Sequence, residues 1–162
     1  MYYYQKGGGV QELVHKLKYR GGQDLGRYLG RLLGRELLES PHFREIDCII
    51  PVPLHARRLR QRGFNQSEAF GAGISEILGC PLNTEALIRR SATQTQTRKS
   101  RFRRWENVSG VFEFREDGLS GARNLLLVDD VLTTGSTLEA CSQQLLSGKN
   151  TRVWVATIGF TA

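Results

Sequence analysis

Two adjacent carboxylates, Asp129 and Asp130, close an apolar run, and a turn rich in hydroxyls follows almost at once: Thr133, Thr134, Gly135, Ser136 and Thr137. The whole stretch reads LLLVDDVLTTGST. Ligands of open α/β sheets bind at the carboxyl ends of buried strands. Placed there, two neighbouring carboxylates can accept hydrogen bonds from a vicinal diol such as the 2′- and 3′-hydroxyls of ribose. The turn after them opens a helix. Its first N–H groups have no intrahelical acceptor, and the helix dipole favours an anion beside them. Diol acceptors followed by a phosphate nest describe a 5-phosphoribosyl group. The plainer alternative makes the acids a solvated turn and Ser136 a helix cap. The apolar strand, both acids and the glycine occurring together favour the binding role. No glycine-rich loop ends in Gly-Lys-Ser/Thr, which excludes a Walker A phosphate site.

Two arginine clusters extend the anion theme, and the chain carries a formal charge of +7. Such an excess calls for an anionic partner: a phosphorylated small molecule, nucleic acid or a membrane surface. Arg57, Arg58, Arg60 and Arg62 follow the first apolar strand in PVPLHARRLRQRGFNQ, which reads as a pyrophosphate-side loop. Pro51 and Pro53 stiffen its start, and guanidinium groups clamp phosphate oxygens bidentately. His55 opens this loop as a phosphate donor or proton shuttle, or as a structural side chain. Arg98, Lys99, Arg101, Arg103 and Arg104 lie in a long polar segment that reads as a flexible loop able to close over a ligand. Phe102 and Trp105 interleave with them, as in a single-stranded nucleic-acid groove. His15 and His42 read as surface residues, and Glu68 as a charge complementing a helix N-terminus. No histidine has partners at metal-ligand spacing, so no direct protein metal site is expected.

These residues need a scaffold, and the periodicity supplies one. Val10, Leu13, Val14 and Leu17 form one helical stripe, and Leu25, Leu29, Leu32 and Leu33 another that ends before Pro41. Gly30 and Gly34 inside the second weaken it intrinsically and permit close packing. Asp47–Val52 suits a buried parallel strand. Ala69, Phe70, Ile74, Ile77 and Leu78 mark a third helix closed by Gly79 and Pro81. Arg89–Asn107 reads as the loop, Val111–Phe114 and Asn124–Val128 as strands, Ser136–Leu146 as a helix and Arg152–Ile158 as a last strand. Alternating strands and helices over 162 residues predict one α/β domain with a mostly parallel sheet. Cys48, Cys80 and Cys141 lie apart beside apolar neighbours and read as reduced, partly buried thiols. The N-terminal MYYYQKGGG lacks the apolar stretch of a secretory signal, and no run approaches the ~20 apolar residues of a membrane span. The expected location is cytoplasmic.

LLLVDDVLTTGST resembles the signature with which type I phosphoribosyltransferases bind 5-phosphoribosyl-1-pyrophosphate (PRPP). PVPLHARRLRQRGFNQSE and TQTQTRKSRFRRWENVSGVF, taken with it, resemble the ComF family of phosphoribosyltransferase-like proteins over roughly residues 10–160. Arg62, Gly63, Phe64, Asn65, Gln66, Thr93, Gln96, Arg104 and Asn107 match recurring positions of that family. The resemblance implies the type I phosphoribosyltransferase fold, with residues 1–46 a helical hood segment and 47–162 the core. It implies that Asp129 and Asp130 are the catalytic pair on the ribose, and that Thr133 to Thr137 hold the 5-phosphate. His55, Arg57 and Arg58 would face the pyrophosphate, and Arg98, Lys99 and Arg104 would belong to the flexible loop. Mg²⁺ would enter through ligand oxygens, and a nitrogen nucleophile would displace pyrophosphate. Expected partners are PRPP or another phosphoribosyl ligand, nucleic acid or DNA-uptake proteins, and a second copy in a homodimer. No base-specificity segment is recognisable, so a non-catalytic PRPP sensor or a partner in DNA transactions stands as the alternative. Many family members carry an N-terminal cysteine-rich zinc module; this sequence has no such cysteines, and zinc binding has no support in it.

Overall fold

The elements follow in the order β1 (Tyr2–Tyr4), α1 (Gly22–Glu39), β2 (Cys48–Pro51), α2 (Ala56–Arg62), α3 (Gln66–Leu78), β3 (Leu87–Arg89), β4 (Phe112–Phe114), β5 (Asn124–Leu132), α4 (Ser136–Leu146) and β6 (Arg152–Thr161). The structure is a computed structural model and describes residues 2–4, 16–17, 21–90 and 111–161. Four strands pair in the order β1-β6-β5-β2, every neighbour parallel. β3 and β4 make a separate antiparallel pair.

The apolar runs of β2 and β5 divide by parity between two cores. Ile50, Leu125 and Leu127 enter one cluster with Ala140, Cys141 and Leu145 of α4 and with Phe112. Ile49, Leu126 and Val128 enter the other with Leu37 of α1 and Phe70 and Ile74 of α3. Alternate side chains of a strand point to opposite faces, so a sheet covered on both sides needs an unbroken apolar run. All three cysteines are free and buried. Burial foremost pushes the Cys48 thiol up to about 11 and Cys141 up to about 12, so both fill apolar volume as neutral thiols.

On one face α1 lies along α3 at a distance set by glycine. A Cβ on Gly30 would sit 2.1 Å from the Phe70 carbonyl oxygen, and one on Gly73 would sit 2.0 Å from that of Arg27. Arg27 and Arg31 pair with Glu76 at the rim of this contact. The close packing expected from Gly30 is thus present, and its partner is the glycine of the facing helix. At the other end of the sheet the Asp47 carboxylate accepts from the backbone N–H groups of Arg123 and Asn124, both at 3.0 Å. That clamp starts the β2–β5 register, which runs from Cys48 opposite Leu125 to Pro51 opposite Val128.

The path of the chain around β2 positions the site. After α3 it passes along one flank of β2, where Leu82 bridges Ile49 in parallel. It then returns on the opposite flank as β5. Where successive connections leave a strand in opposite directions, the carboxyl ends part and a crevice opens.

Several elements differ from the expectations. β1 was not foreseen, and it makes residues 2–4 part of the sheet edge. The segment read as a pyrophosphate-side loop contains a helix, α2, whose exposure on nearly all sides leaves no apolar period to detect. Arg89, expected to open the long loop, is the last residue of β3. β5 runs on to Leu132 because it pairs with β6 beyond the end of β2, and β6 reaches Thr161 beside Tyr4 of β1. Among the described residues no helix is long and apolar enough to cross a membrane.

Candidate functional site

β2 stops at Pro51 while β5 continues, so Asp129 is the first residue of β5 with no partner on that side. The crevice left there is a cavity of about 300 Å³ lined by Val52, Pro53 and Leu54 from the exit of β2, Asp129, Asp130 and Val131 from β5, and Thr133 and Thr137 beyond it. Arg58 and Arg62 of α2, Gln66 and Ser67 of α3, and Arg89 of β3 complete the wall. The lining therefore combines carboxylates with guanidinium groups.

The carboxylates are held firmly. Ser67 Oγ donates to Asp129 Oδ1 at 2.9 Å, and the Asp130 backbone N–H donates to the same oxygen at 2.9 Å. The Val131 N–H donates to Asp130 Oδ1 at 2.8 Å. Burial, and then the Asp130 charge beside it, push Asp129 from its ordinary 3.8 up to about 7, against the lowering effect of the Ser67 and backbone bonds. Asp129 is thereby held well above the ordinary carboxylate range.

The hydroxyl-rich turn behaves as a helix N-terminus left open. Gly135, at φ 78°, is the N-cap of α4 and offers no capping side chain. The first intrahelical bond is Glu139 N–H to the Gly135 carbonyl at 2.8 Å, which leaves the N–H groups of Ser136, Thr137 and Leu138 pointing out of the helix end. Thr134 Oγ1 and Ser136 Oγ lie 3.0 Å apart at the surface. Asp129, Thr133, Gly135 and Thr137 also line a smaller pocket against this turn.

The helical turn of α2 sorts the basic residues. Arg58 and Arg62, four apart, reach the cavity, whereas Arg57 and His55 are not among its lining residues. His55 instead caps α2, its Nδ1 accepting from the Arg57 N–H at 3.1 Å. Arg98, Lys99 and Arg104 lie outside the described residues. None of the described residues of the 1–46 segment is among the cavity's lining residues; α1 packs against α3, and the rest of the segment lies largely outside the described residues.

Comparison with known proteins follows the same lines. No protein-family model matches the chain. It is 39% identical over 153 residues to the DNA utilization protein YhgH of Shigella flexneri, covering 90% of this chain and 65% of that protein. It is 31% identical over 148 residues to Competence protein F of Haemophilus influenzae, covering 88% and 65%. The chain is similar to ComF/YhgH proteins over 85–90% of its length. It spans about 65% of the length of these two relatives. A glutamine PRPP amidotransferase from B. subtilis superposes with a TM-score of 0.59 at 20% identity over 90% of this chain and 30% of that one. The chain therefore has the type I phosphoribosyltransferase fold that its sequence implied.

Three polar wall residues carried no assigned role in the sequence: Gln66, Ser67 and Arg89. Ser67 meets Asp129 only through the topology, 62 residues away in the chain. Arg89 lies over the Phe112 ring at 5.3 Å, opposite it in the β3–β4 register. Burial, and then Arg58 nearby, lower its ordinarily high pKa. The one available signal was the RGFNQ motif, which marks Gln66 without stating its task.

Proposed function

We propose that this chain binds PRPP in the switch-point cavity and transfers its phosphoribosyl group to a nitrogen nucleophile, releasing pyrophosphate. The observation that carries the reading is the division of one cavity into three chemistries: paired carboxylates, an open helix N-terminus and a guanidinium wall. Asp129 and Asp130 accept from the ribose hydroxyls. The first turn of α4 and the hydroxyls of Thr133, Thr134, Ser136 and Thr137 donate to the 5-phosphate. Arg58, Arg62 and Arg89 face the pyrophosphate. In the transfer the bond from the anomeric carbon to the pyrophosphate oxygen breaks and its electron pair leaves with pyrophosphate. The nitrogen forms the new bond and gives up a proton. The protein's share is positioning and electrostatic stabilisation, which needs no protein nucleophile. Asp129 and Asp130 are hard oxygen donors of the kind Mg²⁺ accepts, so they would face an ion carried by the ligand, which would supply charge neutralisation.

Calorimetry of Mg²⁺–PRPP binding to the wild type and to Asp130→Asn tests the reading. The variant should bind at least roughly tenfold more weakly, having lost a charge-assisted hydrogen bond. Equal affinities would mean the ribose assignment is wrong. An acceptor screen for Mg²⁺-dependent pyrophosphate release separates the enzyme from a sensor, since PRPP binding without turnover on any acceptor favours the sensor.

A second reading, nucleic-acid binding, is favoured by Arg57 and Arg60, which are exposed on α2 away from the cavity wall. It predicts affinity for single-stranded DNA that falls steeply with salt. No binding at low salt would rule it out.

A further inference from the structure

Among the described residues the buried polar side chains are three in succession, Asn65, Gln66 and Ser67, all at the cavity end of α3. Two of them are accounted for. Asn65 Nδ2 donates to the Val52 carbonyl at 3.0 Å and its Oδ1 accepts from the Ser67 N–H, which caps the helix. Ser67 serves Asp129. Gln66 is different: at 2% exposure its Oε1 accepts from Arg62 Nη1 at 2.7 Å, while its Nε2 has no partner among the described residues. Buried amide N–H groups rarely go unpaired, because leaving one so costs its full desolvation.

The direction of this amide is fixed by chemistry. A guanidinium group has donors only, so the carboxamide oxygen must face Arg62 and the NH₂ must face the other way. Gln66 is one of the residues lining the cavity, and its buried Nε2 is the donor left without a partner. It is bonded to Arg62, one of the guanidinium groups lining the cavity, and is next in sequence to Ser67, which holds Asp129. What completes it is an acceptor that Arg58, Arg62 and Arg89 would also attract, and phosphate oxygens meet both conditions.

Resting on the PRPP reading above, we propose that Gln66 is a ligand-contacting residue whose carboxamide, oriented by Arg62, donates to an oxygen of the pyrophosphate group of PRPP. It distinguishes the activated sugar from one that lacks pyrophosphate, and it adds no charge to a wall already rich in arginine.

The test is calorimetry on the full chain with three probes, Mg²⁺–PRPP, Mg²⁺–pyrophosphate and ribose 5-phosphate, against the wild type, Gln66→Met and Gln66→Glu. Gln66→Met keeps the volume and removes the donor. It should weaken PRPP and pyrophosphate about tenfold and leave ribose 5-phosphate within about twofold. Gln66→Glu keeps the bond to Arg62 but turns a carboxylate toward the phosphate, and should weaken the same two probes further. If Gln66→Met does not fold, as judged by thermal melting, the Gln66→Glu comparison carries the same test. Unchanged PRPP affinity, or an equal loss on PRPP and ribose 5-phosphate, overturns the proposal. If PRPP binding is lost in Asp130→Asn but kept in both Gln66 variants, Gln66 is not a contact and the PRPP reading stands. A wild type that binds none of the three probes removes both.

Discussion

Ser67 Oγ donates to Asp129 Oδ1 at 2.9 Å and so ties the first turn of α3 to the open end of β5. The bond favours the ionised carboxylate, whereas burial and Asp130 oppose it. The balance leaves Asp129 near 7, a value that ties stability, and on the proposed reading PRPP binding, to the same proton.

Because Asp129 holds its proton in the folded state up to about 7 and releases it near 3.8 when unfolded, its contribution to stability is fully present below 3.8. That contribution is lost as pH rises toward 7, since the native state there binds more protons than the unfolded one. In Asp129→Asn the melting temperature should fall less between pH 5 and pH 8 than in the wild type. PRPP affinity should rise through the same range as the carboxylate ionises. Ser67→Ala should move the midpoint of that rise to higher pH, which calorimetry at a series of pH values would detect. A midpoint unchanged by Ser67→Ala would show that the hydroxyl does not control the titration.

Alanine is ordinarily the better helix former by about 1 kcal/mol. At Gly30 the order should reverse, because the new Cβ meets the Phe70 backbone and no flexible side chain can yield. We expect Gly30→Ala to lower stability by about 1–3 kcal/mol in urea denaturation, the usual cost of overpacking. A gain would place the two helices further apart than described.

Gly135 has room for a side chain, its nearest neighbour being Leu132 Cδ1 at 3.6 Å, but its φ of 78° lies in the left-handed region. Gly135→Ala should therefore cost about 1–2 kcal/mol from backbone strain alone. Relief of that strain would reorient the N–H groups at the start of α4, so ribose 5-phosphate should bind several-fold more weakly. Thermal melting and calorimetry would separate the two effects.

The sequence made legible what local pattern encodes. The uninterrupted apolar residues Leu125–Val128 announced a doubly covered strand, and Ser136–Leu146 is helical with the bounds expected. The acids and the hydroxyl-rich turn were visible because one stretch of chain carries them all. Gln66, Ser67 and Arg89 were not assignable, because their roles arise only when α3, β3 and β5 meet at the switch point. α2 escaped for the opposite reason: its residues are exposed, and a helix that buries nothing leaves no period in the sequence. β1 is three residues long and pairs only with Gly159, Phe160 and Thr161 at the end of β6, too little for a pattern.

The glycine contact between α1 and α3 has a bearing beyond stability. The helix that carries Gln66 and Ser67 at its tip is seated, near its middle, on a helix that touches no part of the cavity. A rod resting on such a fulcrum passes a small displacement at the centre on to its end. Change within residues 22–39 can therefore retune ligand recognition from a distance, and a variant that still folds there would present itself at the bench as a binding defect.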